Sequence, residues 1–158
     1  MTTSPTAPPA SGSSTTLGSE QQALVDALRA EHAAVFAYGI VAAFSNPARS
    51  AQIAADTAAH RARRDATIDA LSAASVTPPG AEAGYTIPFP VTDPTTAIQL
   101  AVQVESDTSV AWRSVIERAR SEATRAAAVD ALTESTLRAA NWRAVLGAAS
   151  PTVAFPGQ

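Results

Sequence analysis

Residues 24–44 read LVDALRAEHAAVFAYGIVAAF. Leu24, Leu28, Val35 and Tyr38 recur at spacings of three and four, the period that lines side chains along one stripe of a helix. Glu31 falls on the same stripe, three residues after Leu28 and four before Val35. A carboxylate on a buried face is costly unless a metal, an arginine or another cation answers it. The stretch therefore predicts a core helix with a polar centre inside the core.

Outward from this helix the chain divides into four helical segments. Residues 1–18 are Ser, Thr, Pro and Ala without apolar period, which predicts a disordered tail. Ser19 and Gln22 have the spacing of a capping box, so the first helix is expected over 19–44. Ser45-Asn46-Pro47 ends it, and proline suits the first position of the next helix, expected over 47–75 with Ile53, Thr57, His60, Thr67 and Leu71 on one face. Thr77-Pro78-Pro79-Gly80 stops that helix. Tyr85, Ile87, Phe89 and Val91 alternate like a strand, but Pro88 and Pro90 remove two backbone donors, so 76–93 reads as an extended strap on the helices. Asp93-Pro94 opens a third helix, expected over 94–120, with Ile98, Ala101, Glu105, Thr108, Trp112 and Val115 inward. After a weak break near Ser121 the fourth runs over 123–146, ending before Gly147.

Composition narrows the chemistry. Alanine is the most frequent residue and aromatics are only 5%, which favours close-packed helices over a sheet. With no cysteine there is no disulfide, thiolate zinc site or cysteine nucleophile. All eleven basic residues are arginine, which removes lysine Schiff-base chemistry. A net charge of −3 with scattered arginines lacks the clustered basic face of a nucleic-acid binder. No apolar run approaches the length of a membrane span, and the start of the chain lacks the apolar centre of a secretion signal, so a soluble cytoplasmic protein is expected. Neither a nucleophile-elbow motif nor a glycine-rich phosphate loop is present.

The long connection decides the expected topology. A second helix of roughly 28 residues spans about 42 Å, and a strap of about 18 residues reaches roughly 59 Å when extended. That is enough to cross the whole bundle, so the third helix is expected to start at the end where the second started. An all-α four-helix bundle of two antiparallel hairpins joined by one long crossover is the ferritin-like topology. Counting from the turns then sets heights. Glu31 is fourteen residues before Ser45 and His60 fourteen after Asn46, so the two are level. Glu105 is sixteen before Ser121 and Leu137 sixteen after, with Glu134 one turn away. Glu31, His60, Glu105 and Glu134 are expected to converge near mid-bundle.

These residues resemble, in part, the ligand pattern of ferritin-like di-iron carboxylate proteins: one Glu from each of two helices and Glu-x-x-His from each of the others. Glu31 and Glu105 match the single glutamates, His60 the histidine of the second helix and Glu134 the glutamate of the fourth. Thr57 and Leu137 stand where a glutamate and a histidine belong. The segments Glu31-His32-Ala33-Ala34, His60-Arg61-Ala62-Arg63-Arg64-Asp65, Pro88-Phe89-Pro90-Val91-Thr92-Asp93 and Trp142-Arg143 resemble an actinobacterial ferritin-like family that is a domain of unknown function. The resemblance covers residues 19–157 and implies the fold without an activity.

Two readings follow. In the first, the site is a buried ion network with no cofactor: Arg63, one turn from His60, reaches Glu31 or Glu105, and Arg138 neighbours Glu134, the guanidinium fork suiting carboxylates. The protein is then a non-catalytic structural or interaction module, expected as a homodimer through an alanine-rich helical face, with no nucleic-acid or membrane partner. In the alternative, Glu31, His60, Glu105 and Glu134, with Asp56 as a partial substitute for the missing glutamate, bind iron or another divalent metal, and any enzyme activity is that of a di-iron carboxylate oxidoreductase. His32, about 100° from Glu31 around the helix, is expected at the surface or an interface. Trp112 and Trp142 are expected as core or interface anchors.

Overall fold

The structure, a computed structural model, describes residues 16–158. The expected tail therefore lies, up to residue 15, outside the described residues. The described residues form four α-helices, α1 (Ser19–Phe44), α2 (Ser50–Ala73), α3 (Pro94–Arg118) and α4 (Glu122–Val145), with a 3-10 turn at Pro47–Arg49 ahead of α2. No strand occurs among the described residues, and the fold is an all-α helical bundle.

Local chemistry explains the helix ends. The cap of α1 is Gly18 rather than Ser19. The Gln21 side-chain oxygen accepts from the Gly18 N–H at 2.9 Å, which is half of a capping box, since glycine has no side chain to reciprocate. Asn46 Oδ1 accepts from the Ala48 N–H, so Pro47 starts a 3-10 turn before α2 proper. Asp93 Oδ1 accepts from the N–H groups of Thr95 and Thr96, and the Thr96 hydroxyl accepts from the Asp93 N–H in return. At the end of α3, the Glu20 carboxylate accepts from the backbone N–H groups of Arg120 and Ser121. A side chain from α1 thus takes the donors that would extend α3, and the helix stops at Arg118.

α1 packs against α2 and α3, and α3 against α4. Between α2 and α4 the hydrogen bonds are made by Arg63, to Glu134 and to the Ala127 carbonyl, and by the Trp142 indole to Asp56. On the α1–α3 face, Glu31 meets Trp112 while Tyr38 meets Glu105, so the numbering runs in opposite directions along the two helices. The same opposition holds on α3–α4, where Thr108 meets Ser135 and Glu105 meets Arg138.

The core is divided into two apolar clusters. One gathers Leu24, Leu28, Leu71, Val76, Trp112 and Val115, the other Tyr38, Val41, Ile53, Ile98, Leu100 and Trp142. Between them lies a buried polar layer containing Glu31, His60, Glu105, Thr108 and Ser135. By length and composition α1 passes as a membrane span, contrary to the expectation that no run approaches that length; 44% of the window is buried inside the bundle, as suits a core helix.

The connection after α2 lies along α1. Pro79 sits beside His32, Tyr85 packs on Phe36 with ring centroids 5.3 Å apart, and Ile87, Phe89 and Val91 cover the second cluster. This corrects the reading of His32: it is buried beneath the connection, with Nε2 3.1 Å from the Pro79 carbonyl oxygen. Helical period gave the direction of the side chain, but the strap supplies the cover on that face.

Candidate functional site

The polar layer is built around His60, which α2 carries into the bundle fully buried. Its Nδ1 lies 2.8 Å from Glu31 Oε2 and its Nε2 3.0 Å from Glu105 Oε1. A neutral imidazole has one N–H, so its second nitrogen would direct a lone pair at a carboxylate oxygen. Two buried carboxylates on the two ring nitrogens therefore select the imidazolium, which donates to both. Burial by itself pulls the His60 pKa down; the hydrogen bonds and negative charges of Glu105 and Glu31 outweigh it and hold the group at about 9.

Each carboxylate has further donors. The Trp112 indole Nε1 donates to Glu31 Oε1 at 2.6 Å, and the Tyr38 hydroxyl donates to Glu105 Oε1 at 2.5 Å. Arg138 Nε also donates to Glu105 Oε1, at 3.0 Å. Burial, and then the charge of Glu105, push the Tyr38 phenol far above its ordinary range, so it remains a neutral donor. Glu31 and Glu105 are thus balanced by the His60 imidazolium and the Arg138 guanidinium.

The layer extends one turn along α2 to Asp56. The Trp142 Nε1 donates to Asp56 Oδ2 at 3.0 Å, and the Tyr38 hydroxyl lies 3.4 Å from the same atom. Desolvation, with the neighbouring Glu105 charge, raises the Asp56 pKa; Arg138 and the Trp142 hydrogen bond work in the opposite direction.

Three of the four residues expected to converge do so: Glu31, His60 and Glu105 are joined directly. Glu134 is not in the buried layer. Its side chain is half exposed at the rim, with Oε2 2.8 Å from Arg63 Nη2 and 3.9 Å from Arg138 Nη1. The reason is the rotation of α4, which turns Ala128, Ala131, Ser135, Ala139 and Trp142 inward. Glu134 precedes Ser135 by one residue, or 100°, and Leu137 stands 60% exposed. One of the two arginines departs from its expected partner. Arg63, expected on Glu31 or Glu105, instead binds Glu134 and lies over the Trp112 ring, 5.8 Å from its centroid; Arg138 lies beside Glu134 as expected, at 3.9 Å, and in addition donates to Glu105. The Thr57 hydroxyl donates to the Ile53 carbonyl within its own helix and takes no part.

Sequence reasoning placed Tyr38, Trp112 and Trp142 on inner faces without assigning them to the network. The signal was available as a repeated spacing: Tyr38 follows Glu31 by seven residues, and Trp112 follows Glu105 by seven. On opposed helices this brings each aromatic donor level with the other helix's glutamate.

The donor set does not fit the two-metal pattern that the resemblance implies. Both ring nitrogens of His60 and both oxygens of Glu31 are engaged, and Arg138 occupies the flank of Glu105 facing α4. Glu105 Oε2 is the buried carboxylate oxygen in this layer that lacks a partner. Among the described residues, no group of three or more His, Asp or Glu has the disposition of a metal site.

The comparisons with known proteins agree with this picture of a helical family. A model of the family described as Domain of unknown function (DUF4439) matches residues 23–158. The crystal structure of a conserved hypothetical protein, rv2844, from Mycobacterium tuberculosis is similar at 44% identity with a TM-score of 0.79, over 82% of this chain and 99% of that one. No functionally curated protein matches significantly.

Proposed function

The chain belongs to the family described as a domain of unknown function, DUF4439, and from its buried layer we propose that it is a non-catalytic ferritin-like bundle whose ancestral metal position is filled by protein cations, serving as a structural or interaction module. The observation that carries this reading is His60, held by both ring nitrogens between Glu31 and Glu105, with Arg138 on the second carboxylate. The imidazolium and guanidinium supply the positive charge that metal ions supply in a di-iron centre, and their N–H groups take up the lone pairs that a metal would need. The one-crossover topology is supported by the opposed numbering on the α1–α3 face and by the connection lying along α1 from His32 to the second apolar cluster.

A second reading, in which the layer binds a single divalent cation, draws on the unpartnered Glu105 Oε2 with Asp56 nearby. Metal analysis of the full chain expressed in iron-supplemented medium separates the two. The network reading expects substoichiometric metal in both the native chain and Glu31→Ala. Stoichiometric metal that disappears with Glu31→Ala would overturn it. A homodimer through the alanine-rich outer face of α2, where Ala51, Ala54, Ala55, Ala58 and Ala62 are exposed or half-exposed, belongs to the same proposal. A monomeric mass by light scattering would remove that part alone.

A further inference from the structure

We draw no further inference here: the strongest candidate, the cavity of about 310 Å³ between α3, α4 and the C-terminal segment, stands open to solvent, and its one arginine, Arg143, already donates to Ser106 Oγ and the Pro151 carbonyl oxygen, so nothing in the structure shows what occupies it.

Discussion

Raising the pH from 6 to 9.5 deprotonates His60 and removes the cation on which Glu31 and Glu105 converge. His60 has a folded-state pKa of about 9, against about 6.5 for an unfolded chain. Because the folded value is the higher one, the folded state holds the proton more tightly. The resulting stability is complete below about pH 6.5 and is lost as the pH rises through about 9. At about 1.4 kcal/mol per pKa unit, the loss is on the order of 3 kcal/mol, or a fall in melting temperature of roughly 6–12 °C for a chain of this size. The groups against the imidazole are Glu31 and Tyr38 from α1 and Glu105 from α3; Trp112 and Arg138 bond those carboxylates from α3 and α4, and Asp56 bonds Tyr38 from the same helix as His60. Urea denaturation at half-unit steps, for the native chain and for His60→Gln, isolates the contribution as the difference between the two curves. The imidazole C2 proton followed by NMR in the native chain gives the folded pKa directly if the variant is too unstable to measure. A histidine buried as the neutral base would have a lowered pKa, so its stability contribution would rise up to about pH 6.5 and remain flat above. A difference curve that is flat or rising between pH 6.5 and 9 would therefore refute the imidazolium bridge.

Further predictions concern the flanks of the layer. Arg138→Met strands the fully buried Glu105 carboxylate and should cost roughly 3 kcal/mol in urea denaturation, whereas Arg63→Met, which breaks a rim pair, a ring contact and a long bond to the Ala127 carbonyl, should cost about 1 kcal/mol or less; equal costs would contradict the placement of Arg138 on the buried carboxylate and Arg63 at the rim. Asp56→Asn keeps an acceptor for Trp142 and removes a carboxylate that burial and Glu105 disfavour, so stability at pH 7 should rise slightly, by up to about 1 kcal/mol, and a loss would show that Asp56 acts through its charge. At Gly157 the backbone has φ +78° and an added Cβ would lie 2.7 Å from the Ser109 carbonyl oxygen. Gly157→Ala should release the C-terminal segment from α3 at a cost of about 1 kcal/mol, visible as faster proteolysis after α4 with no change in the helical signal.

Much of the architecture is written locally. Asp93-Pro94, Asn46-Pro47 and Ser121 stop or start helices because the donors and acceptors they manage lie within four residues in the chain. His60 and Glu31 meet because they are equidistant from one short turn, and a turn of this kind fixes register without reference to the rest of the molecule. The Glu31–Tyr38 and Glu105–Trp112 spacings carry the cross-helix hydrogen bonds in the same local form, and are legible once α1 and α3 are known to run in opposite directions.

What the tertiary structure decided is the rotation of α4 and the choice among long side chains. One residue of rotation is 100°, and it moves Ser135 into the layer and Glu134 to the rim, a distinction that counting from Ser121 does not resolve. Glu20 reaching across from α1 to the α3–α4 turn is part of that setting, and it lies a hundred residues away in sequence. Arg63 and Arg138 each extend far enough to have met several carboxylates. Their partners follow from desolvation: the more buried arginine answers the fully buried Glu105, and the other remains with the exposed Glu134 over the face of Trp112. Sequence by itself thus pointed to a layer of Glu31, His60, Glu105 and Glu134, of which the first three are joined in the bundle. Only packing determined which cations close it, because that choice depends on how much water each ion loses, and burial is a property of the assembled helices.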